Sequence, residues 1–323
     1  MRKRTAFVIL IFTILVIVAG LFLWMHRPAS RSPGHLRVGY QPTMLYLPVF
    51  IAQDQGFFEK HGVKVDLVRF GSANEMAQAL ATDRIDVTGM SSLTVLANLE
   101  RNSPGLFRIY LLEVLTEKLS PDALVVMEGS EVRSLEDLRG KKLGLHPGTT
   151  LRTYADRFLR SQLGENHGVT FVPLPPHLQV QSLESGSVDA LYTLEPIPTL
   201  AVSKIKARIV SRGLLARYIH DPFYAGAGVV SANTLKERPE AISAYRAAIR
   251  DALKFISSNE TEARTVMPKY ASVSLEVAQH MSLVGWTEPR SVSLSDWRMA
   301  IKVLADMKLI PSEVTLEDAF LGN

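Results

Sequence analysis

The sequence contains no cysteine among its 323 residues. Disulfide bonds, thiolate metal sites and a lipid attached through cysteine are therefore excluded. The common catalytic signatures are also missing, because no G-x-S-x-G, H-E-x-x-H, P-loop or G-x-G-x-x-G motif occurs. The eight histidines show no metal-ligand spacing. We therefore expect no cofactor, no metal and no bond-making chemistry.

The chain also lacks a strong excess of charge of either sign. Its formal net charge is +4, and Arg2, Lys3 and Arg4 supply three of these charges. Residues 1–25 contain no acid, so the rest of the chain carries +1. A basic face for nucleic acid is therefore not expected. With 47% hydrophobic and 21% charged residues, the composition is that of a globular protein.

One long hydrophobic run is present, at the N-terminus. Residues 6–25 contain no charged side chain and no amide, and three basic residues precede them. This length suits a membrane-spanning helix, since the apolar part of a signal peptide is usually about 7–15 residues long. We interpret residues 1–25 as a transmembrane anchor or signal segment and favour an uncleaved anchor, although residues 18–20 would suit a signal peptidase. Residues 26–35 are interpreted as a linker.

From Leu36 onward, strand-like and helix-like segments alternate. Ser72 and Glu75 have the spacing of a capping box, and Pro239 is expected at the first position of a long helix. This rhythm predicts an α/β fold of mainly parallel sheets flanked by helices. Residues 87–92 and 143–150 share a pattern, an apolar strand that ends in glycine and hydroxyl residues. The near-repeat suggests two similar lobes.

Polar residues follow four of the predicted strands, and open α/β sheets bind ligands at such strand ends. Hydroxyls at a helix start suit an anionic oxygen group, although N-capping alone would also account for them. Glu195 could accept a hydrogen bond from a ligand N–H, whereas Arg152 favours an anion. Tyr46 and Tyr224 are expected as walls. The candidate ligand contacts are Gln41, Tyr46, Ser91, Ser92, Gly148, Thr149, Thr150, Tyr192, Glu195 and Tyr224.

The stretch that begins at Leu36 resembles the solute-binding proteins of ABC importers, and more narrowly their nitrate, sulfonate, taurine and thiamine-precursor group. The resemblance extends to about Trp286. Its markers are GYQ at 39–41, GFFE at 56–59, GV at 62–63, IDV at 85–87, LEDLRGK at 135–141, GTT at 148–150, SVDA at 187–190 and EP at 195–196.

This resemblance implies a two-lobed fold of the type II periplasmic-binding class. Lobe 1 would comprise residues 36–118 and 219–323, and lobe 2 residues 119–218, with the ligand between them and closure around it. A permease and an ATPase would be the partners. The implied protein sits at the periplasmic or extracellular face of the membrane, anchored by its N-terminal helix, and binds a small polar solute. That solute would be a sulfonate, a nitrate-like anion or a pyrimidine thiamine precursor.

Two other functions stay open. One is an enzyme of the same fold that acts on a thiamine or quinone precursor. Some relatives make a thiamine pyrimidine and carry a cysteine-rich iron site, which a chain without cysteine cannot form. The other is a receptor domain that passes its ligand to a membrane sensor. Neighbouring genes for a permease and an ATPase would argue against that receptor.

Overall fold

The computed structural model describes residues 34–322, which form two β-sheets surrounded by helices. The strands are β1 (His35–Tyr40), β2 (Lys64–Arg69), β3 (Val87–Ser92), β4 (Phe107–Leu115), β5 (Asp122–Met127), β6 (Lys142–Leu145), β7 (Thr170–Pro173), β8 (Ala190–Leu194), β9 (Ala207–Arg212), β10 (Phe223–Ser231) and β11 (Gly285–Thr287).

The α-helices are α1 (Leu47–Asp54), α2 (Phe57–Lys60), α3 (Ala73–Ala81), α4 (Leu93–Asn102), α5 (Thr150–Leu163), α6 (Pro176–Glu184), α7 (Ile197–Ile205), α8 (Leu214–Tyr218), α9 (Ala232–Glu237), α10 (Pro239–Ser258), α11 (Glu260–Arg264), α12 (Met267–Tyr270), α13 (Leu275–His280) and α14 (Leu294–Asp306). Short 3-10 turns lie at Met44–Tyr46, Glu136–Leu138 and Pro289–Ser291.

The six-stranded sheet has the order β11-β4-β10-β3-β1-β2, and the five-stranded sheet has the order β7-β6-β8-β5-β9. The chain passes from the first sheet to the second between β4 and β5, and it returns between β9 and β10. Each passage delivers a strand into the middle of the sheet it enters. β5 inserts between β8 and β9, and β10 inserts between β3 and β4.

Most strands of each sheet run in the same direction, as expected, but both sheets are mixed, because β5 in one sheet and β10 and β11 in the other run against their neighbours. β1 pairs in parallel with β2 and β3, and β6 pairs in parallel with β7 and β8. All pairings of β5 and β10 are antiparallel, as is that of β11 with β4. A parallel neighbour needs a crossover that returns the chain to the starting end of the strand. The two passages between the sheets do not return the chain in this way, so β5 and β10, which follow them, pair antiparallel with their neighbours.

Two local predictions are confirmed. The Ser72 hydroxyl accepts a hydrogen bond from the Glu75 amide at 3.2 Å, so Ser72 caps α3, and the Glu75 carboxylate accepts one from the Gly71 amide at 3.1 Å. Pro239 occupies the first position of α10. Its missing N–H costs nothing there, since that group has no partner within a helix.

The predicted anchor at residues 1–25 and most of the linker lie outside the described residues. Between residues 34 and 322, no helix combines the length and the apolar character that a membrane span requires.

Asp86 holds together segments of the first sheet that are far apart in sequence. Its buried carboxylate accepts hydrogen bonds from the Arg37 amide at 2.8 Å and from the Arg238 guanidinium at 2.6 Å. The Thr234 hydroxyl donates to it at 3.3 Å. Burial raises the pKa of Asp86, but the bonds from Arg37 and Arg238 outweigh it and hold the pKa below its usual value. The carboxylate therefore stays ionised and joins β1 to the segment between α9 and α10.

We expect Asp86→Asn to lower the free energy of unfolding by about 3–5 kcal/mol, because the change leaves the buried Arg238 charge without its partner. Urea unfolding measures the loss. Asp66→Asn is the matched control, since Asp66 is exposed and pairs with His35 at the surface. It should change stability by no more than about 0.5 kcal/mol. Equal effects of the two changes would contradict the structural role given to Asp86.

Candidate functional site

A cavity of about 240 Å³ lies between the two sheets, at the ends of strands from both. Its volume is just below the range of about 300–1,000 Å³ that is usual for ligand pockets, which suits a small solute. The segments of the six-stranded sheet contribute Gln41, Leu45, Tyr46, Ala73, Met90, Ser91, Ser92, Leu93, Thr94, Glu113, Leu115, Phe223 and Ala225. The segments around the five-stranded sheet contribute Pro121, Thr150, Leu151, Tyr154, Leu194 and Leu215.

Gln41 and Tyr46 stand at the end of β1, as the sequence predicted. Gln41 Nε2 donates to the Gly71 carbonyl at 3.3 Å, and the Tyr46 hydroxyl donates to the Met90 carbonyl at 2.7 Å. Gly89 makes this position of Tyr46 possible, because a Cβ atom there would lie 2.8 Å from the Tyr46 ring. Burial raises the pKa of Tyr46 well above its usual value, so the phenol stays neutral. Both residues form part of the cavity wall.

Ser91 and Ser92 follow one another at the end of β3, but their hydroxyls differ. Ser92 Oγ accepts a hydrogen bond from the Val95 amide at 3.4 Å and thus caps α4. Ser91 Oγ is buried and has no hydrogen-bond partner within residues 34–322. Since a buried hydroxyl without a partner costs free energy, Ser91 is the hydroxyl with a bond left to offer to a solute.

Glu113, in β4, is the one carboxyl group among the lining residues of the described chain, and only 3% of the residue is exposed. It lies opposite Gly226 of β10, and a Cβ atom at Gly226 would come within 2.8 Å of Glu113 Oε2. Glycine at this position therefore leaves the room that the carboxyl group occupies. Burial raises the pKa of Glu113 from 4.5 to about 8. At neutral pH the empty cavity thus holds a mostly protonated carboxyl group.

The start of α5 brings one of its predicted residues to the cavity. Thr150 lines it, followed one turn later by Tyr154. Gly148 and Thr149 are exposed and outside the lining, and the Thr149 side chain makes no capping hydrogen bond. Arg152, which favoured an anion in the sequence, is exposed and lies over the Phe171 ring at 5.5 Å. The helix therefore presents a hydroxyl and an aromatic ring to the cavity, but no charge.

Glu195 is bonded to the protein instead of facing the cavity. Its carboxylate pairs with the Arg212 guanidinium at 2.7 Å and accepts a hydrogen bond from the Thr199 hydroxyl at 3.0 Å. The Ser282 amide, from the segment between α13 and β11, donates to the same carboxylate at 3.3 Å. The sequence predicts that Glu195 contacts the solute. In the structure its carboxylate is bonded to Arg212, Thr199 and Ser282 and joins the segments that carry them. Leu194, the preceding residue, lines the cavity.

The two tyrosines predicted at later strand ends also lie away from the cavity. Tyr192 is fully enclosed in the core of the five-stranded sheet, where its ring packs edge-on against Phe158 at 5.0 Å. Tyr224 packs against Trp297 at 5.4 Å. Phe223 and Ala225, its neighbours in β10, line the cavity instead. Successive side chains of a strand point to opposite faces, so Tyr224 lies on the face of β10 opposite to that of Phe223 and Ala225.

Sequence reasoning missed Glu113, Tyr154 and Phe223. Glu113 had a detectable signal, because it is the only charged residue in the otherwise apolar run of residues 109–115. A single acid inside a buried strand needs a partner or a function. Tyr154 belongs to the apolar face of α5, and the N-terminal part of that face meets the cavity.

A family model described as "NMT1/THI5 like" matches residues 44–263. The putative aliphatic sulfonates-binding protein of Bacillus subtilis (strain 168) is 24% identical over 297 residues, which cover 88% of this chain and 85% of that protein. A shorter match, 24% over 106 residues, covers 32% of this chain and 29% of the 4-amino-5-hydroxymethyl-2-methylpyrimidine phosphate synthase of Schizosaccharomyces pombe.

Among solved structures, the periplasmic aliphatic sulphonate binding protein SsuA from Escherichia coli is similar with a TM-score of 0.72 at 17% identity. The match covers 90% of this chain and 93% of that one. A likeness at this identity shows the fold. The two-sheet α/β architecture of periplasmic binding proteins is therefore the architecture of this chain.

We expect the stability of the ligand-free protein to fall as pH rises from about 5 to about 8 through Glu113. Its folded pKa is raised, so the unfolded chain binds fewer protons in this window, and the fall is at most about 1.4 kcal/mol per pH unit. Glu113→Gln should remove this contribution, as measured by urea unfolding at pH 5, 6.5 and 8. The control Glu59→Gln changes an exposed acid of α2 and should keep the wild-type pH dependence. A constant difference between wild type and Glu113→Gln at all three pH values would contradict the burial of an ionisable group.

Proposed function

Because the chain belongs to the NMT1/THI5-like family, we propose that it is the solute-binding component of an ABC importer. In this role it binds a small solute on the outer side of the cytoplasmic membrane and delivers it to a permease, which an ATPase drives. The observation that carries the proposal is the cavity, since residues of both sheets contribute to its wall. A ligand that contacts both walls stabilises the arrangement in which they are close together.

The same reasoning extends to the lobes and their hinge. Residues 36–118 and 219–323 are proposed as lobe 1, and residues 119–218 as lobe 2. The two passages of the chain between the sheets, at residues 116–121 and 219–222, would then act as the hinge. Closure by a hinge buries the solute and excludes water from its hydrogen bonds. Residues 1–25 are proposed as the tether that keeps the protein close to its membrane partners.

The lining indicates a solute with an apolar body and few polar atoms. Gln41, Ser91, Ser92 and Thr150 offer amide and hydroxyl groups, while most other lining residues are aliphatic or aromatic. Relatives are named for aliphatic sulfonates, whose chains are apolar as well. Hydrogen bonds at one end and packing along the body would together supply affinity.

An enzyme acting on a thiamine precursor is the second candidate, and the partial match to the pyrimidine phosphate synthase is the observation that favours it. That match covers about a third of this chain, whereas the match to the sulfonate-binding relative covers most of it. Conversion of the bound molecule by the purified protein would support the enzyme over the transport protein.

We expect the purified full-length protein to carry or take up a small molecule that raises its melting temperature in proportion to saturation. Mass spectrometry of the denatured protein identifies the co-purified molecule, and a thermal-shift panel tests candidates. Release of the molecule unchanged after prolonged incubation is the expected result. Turnover would favour the enzyme, and the absence of any stabilising small molecule would count against both functions.

Ser91→Ala should weaken solute binding about three- to tenfold, because the change removes one hydrogen bond of ordinary strength from the cavity. Thr149→Ala is the matched control, since Thr149 is a hydroxyl residue at a helix start that does not line the cavity. The affinity of the Thr149→Ala variant for the co-purified molecule, measured by titration calorimetry, should equal that of the wild type. A larger loss for Thr149→Ala than for Ser91→Ala would contradict the assignment of the site to this cavity.

A further inference from the structure

The cavity contains an acid and no base. Glu113 is the only carboxylic acid in its lining, and no lysine, arginine or histidine lies among the lining residues that the structure describes. Arg152 is turned away over Phe171, and Arg212 is paired with Glu195. An anionic solute would thus meet no cationic side chain, and the N-termini of α4 and α5, at Ser92 and Thr150, would offer it partial positive charge but no full one. Strong binding of carboxylates, phosphates and similar anions in proteins commonly uses charged donors, above all arginine.

The carboxyl group of Glu113 also lacks a donor of its own. No hydrogen bond or ion pair to it is found within residues 34–322. Two of the nearby hydroxyl groups have other partners, since the Tyr46 hydroxyl donates to the Met90 carbonyl and Ser92 Oγ contacts the Val95 amide and Thr94 Oγ1. A buried carboxylate without a donor is costly, and a ligand that supplies the donor removes this cost. The neighbouring Ser91 hydroxyl is likewise unpartnered in the described chain and can accept from the same donor.

The aromatic residues of the wall favour the same class of ligand. Tyr46, Tyr154 and Phe223 line the cavity together with Glu113. The faces of aromatic rings carry partial negative charge and attract cations, more strongly where water is excluded. The aromatic rings and the missing bases favour a cation over an anion, and Glu113 adds a full negative charge when a cation stabilises its ionised form.

We propose that the cavity selects an organic cation, a small molecule with an apolar body and a protonated nitrogen that donates hydrogen bonds to the Glu113 carboxylate and to Ser91 Oγ. This inference rests on the proposed function and names its solute class. It departs from the sulfonates for which the similar proteins are named.

The proposal has a consequence for pH. The titratable groups coupled to Glu113 are the phenols of Tyr46 and Tyr154, and both have raised pKa values and stay neutral. The residues opposite Glu113 on the adjacent strands, Gly226 of β10 and Trp286 of β11, do not titrate. A cation needs the ionised carboxylate, so below a pKa of about 8 binding must release a proton from Glu113. Affinity should therefore rise up to about tenfold per pH unit between pH 6 and pH 8.

The test uses a small-molecule extract of the cells from which the protein is purified. Ion exchange at pH 7 separates the extract into three parts. These are the cations held by a cation exchanger (the cation-retained fraction), the anions held by an anion exchanger (the anion-retained fraction) and the neutral flow-through. Each fraction is added to the full-length protein freed of bound ligand, and the melting temperature is measured for the wild type, Glu113→Gln and the control Glu59→Gln. We expect the cation-retained fraction to raise the melting temperature of the wild type and of Glu59→Gln. Glu113→Gln should need about ten- to a hundredfold more of this fraction for the same rise in melting temperature, because a charge-assisted hydrogen bond to the cation is lost.

The outcomes separate this inference from the function on which it rests. Stabilisation by the anion-retained or the neutral fraction alone would overturn the inference and leave the transport function standing. Stabilisation by no fraction would overturn both. The wild type alone provides a second check, since the shift produced by the cation-retained fraction should be larger at pH 8 than at pH 6. An equal or smaller shift at pH 8 would overturn the inference even if Glu113→Gln did not fold.

Discussion

The architecture depends on two strands that enter a sheet from the other half of the molecule. β10 inserts between β3 and β4, and β5 inserts between β8 and β9. Each inserted strand is hydrogen-bonded on both sides. The five-stranded sheet consists of β5–β9, which lie between the two passages, whereas the six-stranded sheet is complete only after the chain has returned with β10. The passages lie beside the cavity, because Leu115, Pro121 and Phe223, at or near their ends, line it. The connection between the sheets and the cavity are therefore one region of the structure.

The insertion of β10 also creates the chemistry of the site. It brings Gly226 opposite Glu113, and the pairing of β10 with β4 is irregular between Tyr224 and Gly226. Irregularities of this kind often occur next to functional sites, where they redirect a side chain. Ala225 is the residue at this irregularity, and it faces the cavity. Small residues at 225 and 226 leave space in which a carboxyl group can remain buried and open to a ligand.

Buried polar groups in this protein fall into two kinds. Asp86 and Glu195 are surrounded by arginine and backbone donors, and their bonds join segments that are distant in sequence. Glu113 and Ser91 have no such partners in the described chain, and both line the cavity. Since unpaired buried groups destabilise the ligand-free protein, their presence at one place supports the proposal that a solute binds there.

Local sequence determined much of the secondary structure. The capping box at Ser72 and the proline that starts α10 depend on residues a few positions apart, and both predictions are confirmed. The strand ends at Gln41, Ser91 and Thr150 were likewise found from local patterns, because apolar strands followed by polar turns lead to the same edge of a sheet. The near-repeat of residues 87–92 and 143–150 suggested two lobes, and the family resemblance implied the same two-lobed fold.

Only the tertiary structure decided which side chains share the cavity. Tyr224 and Phe223 are adjacent in sequence, and their faces were assigned by the pairing of β10 with strands more than a hundred residues earlier in the chain. Glu195 follows a strand as Gln41 does, but Arg212 and Ser282 approach it from distant segments. Glu113 can line the cavity because Gly226, opposite it, has no side chain that would occupy the room of its carboxyl group. Pairing partners and long-range contacts are set by packing of the whole chain, so neither spacing nor composition could have revealed them.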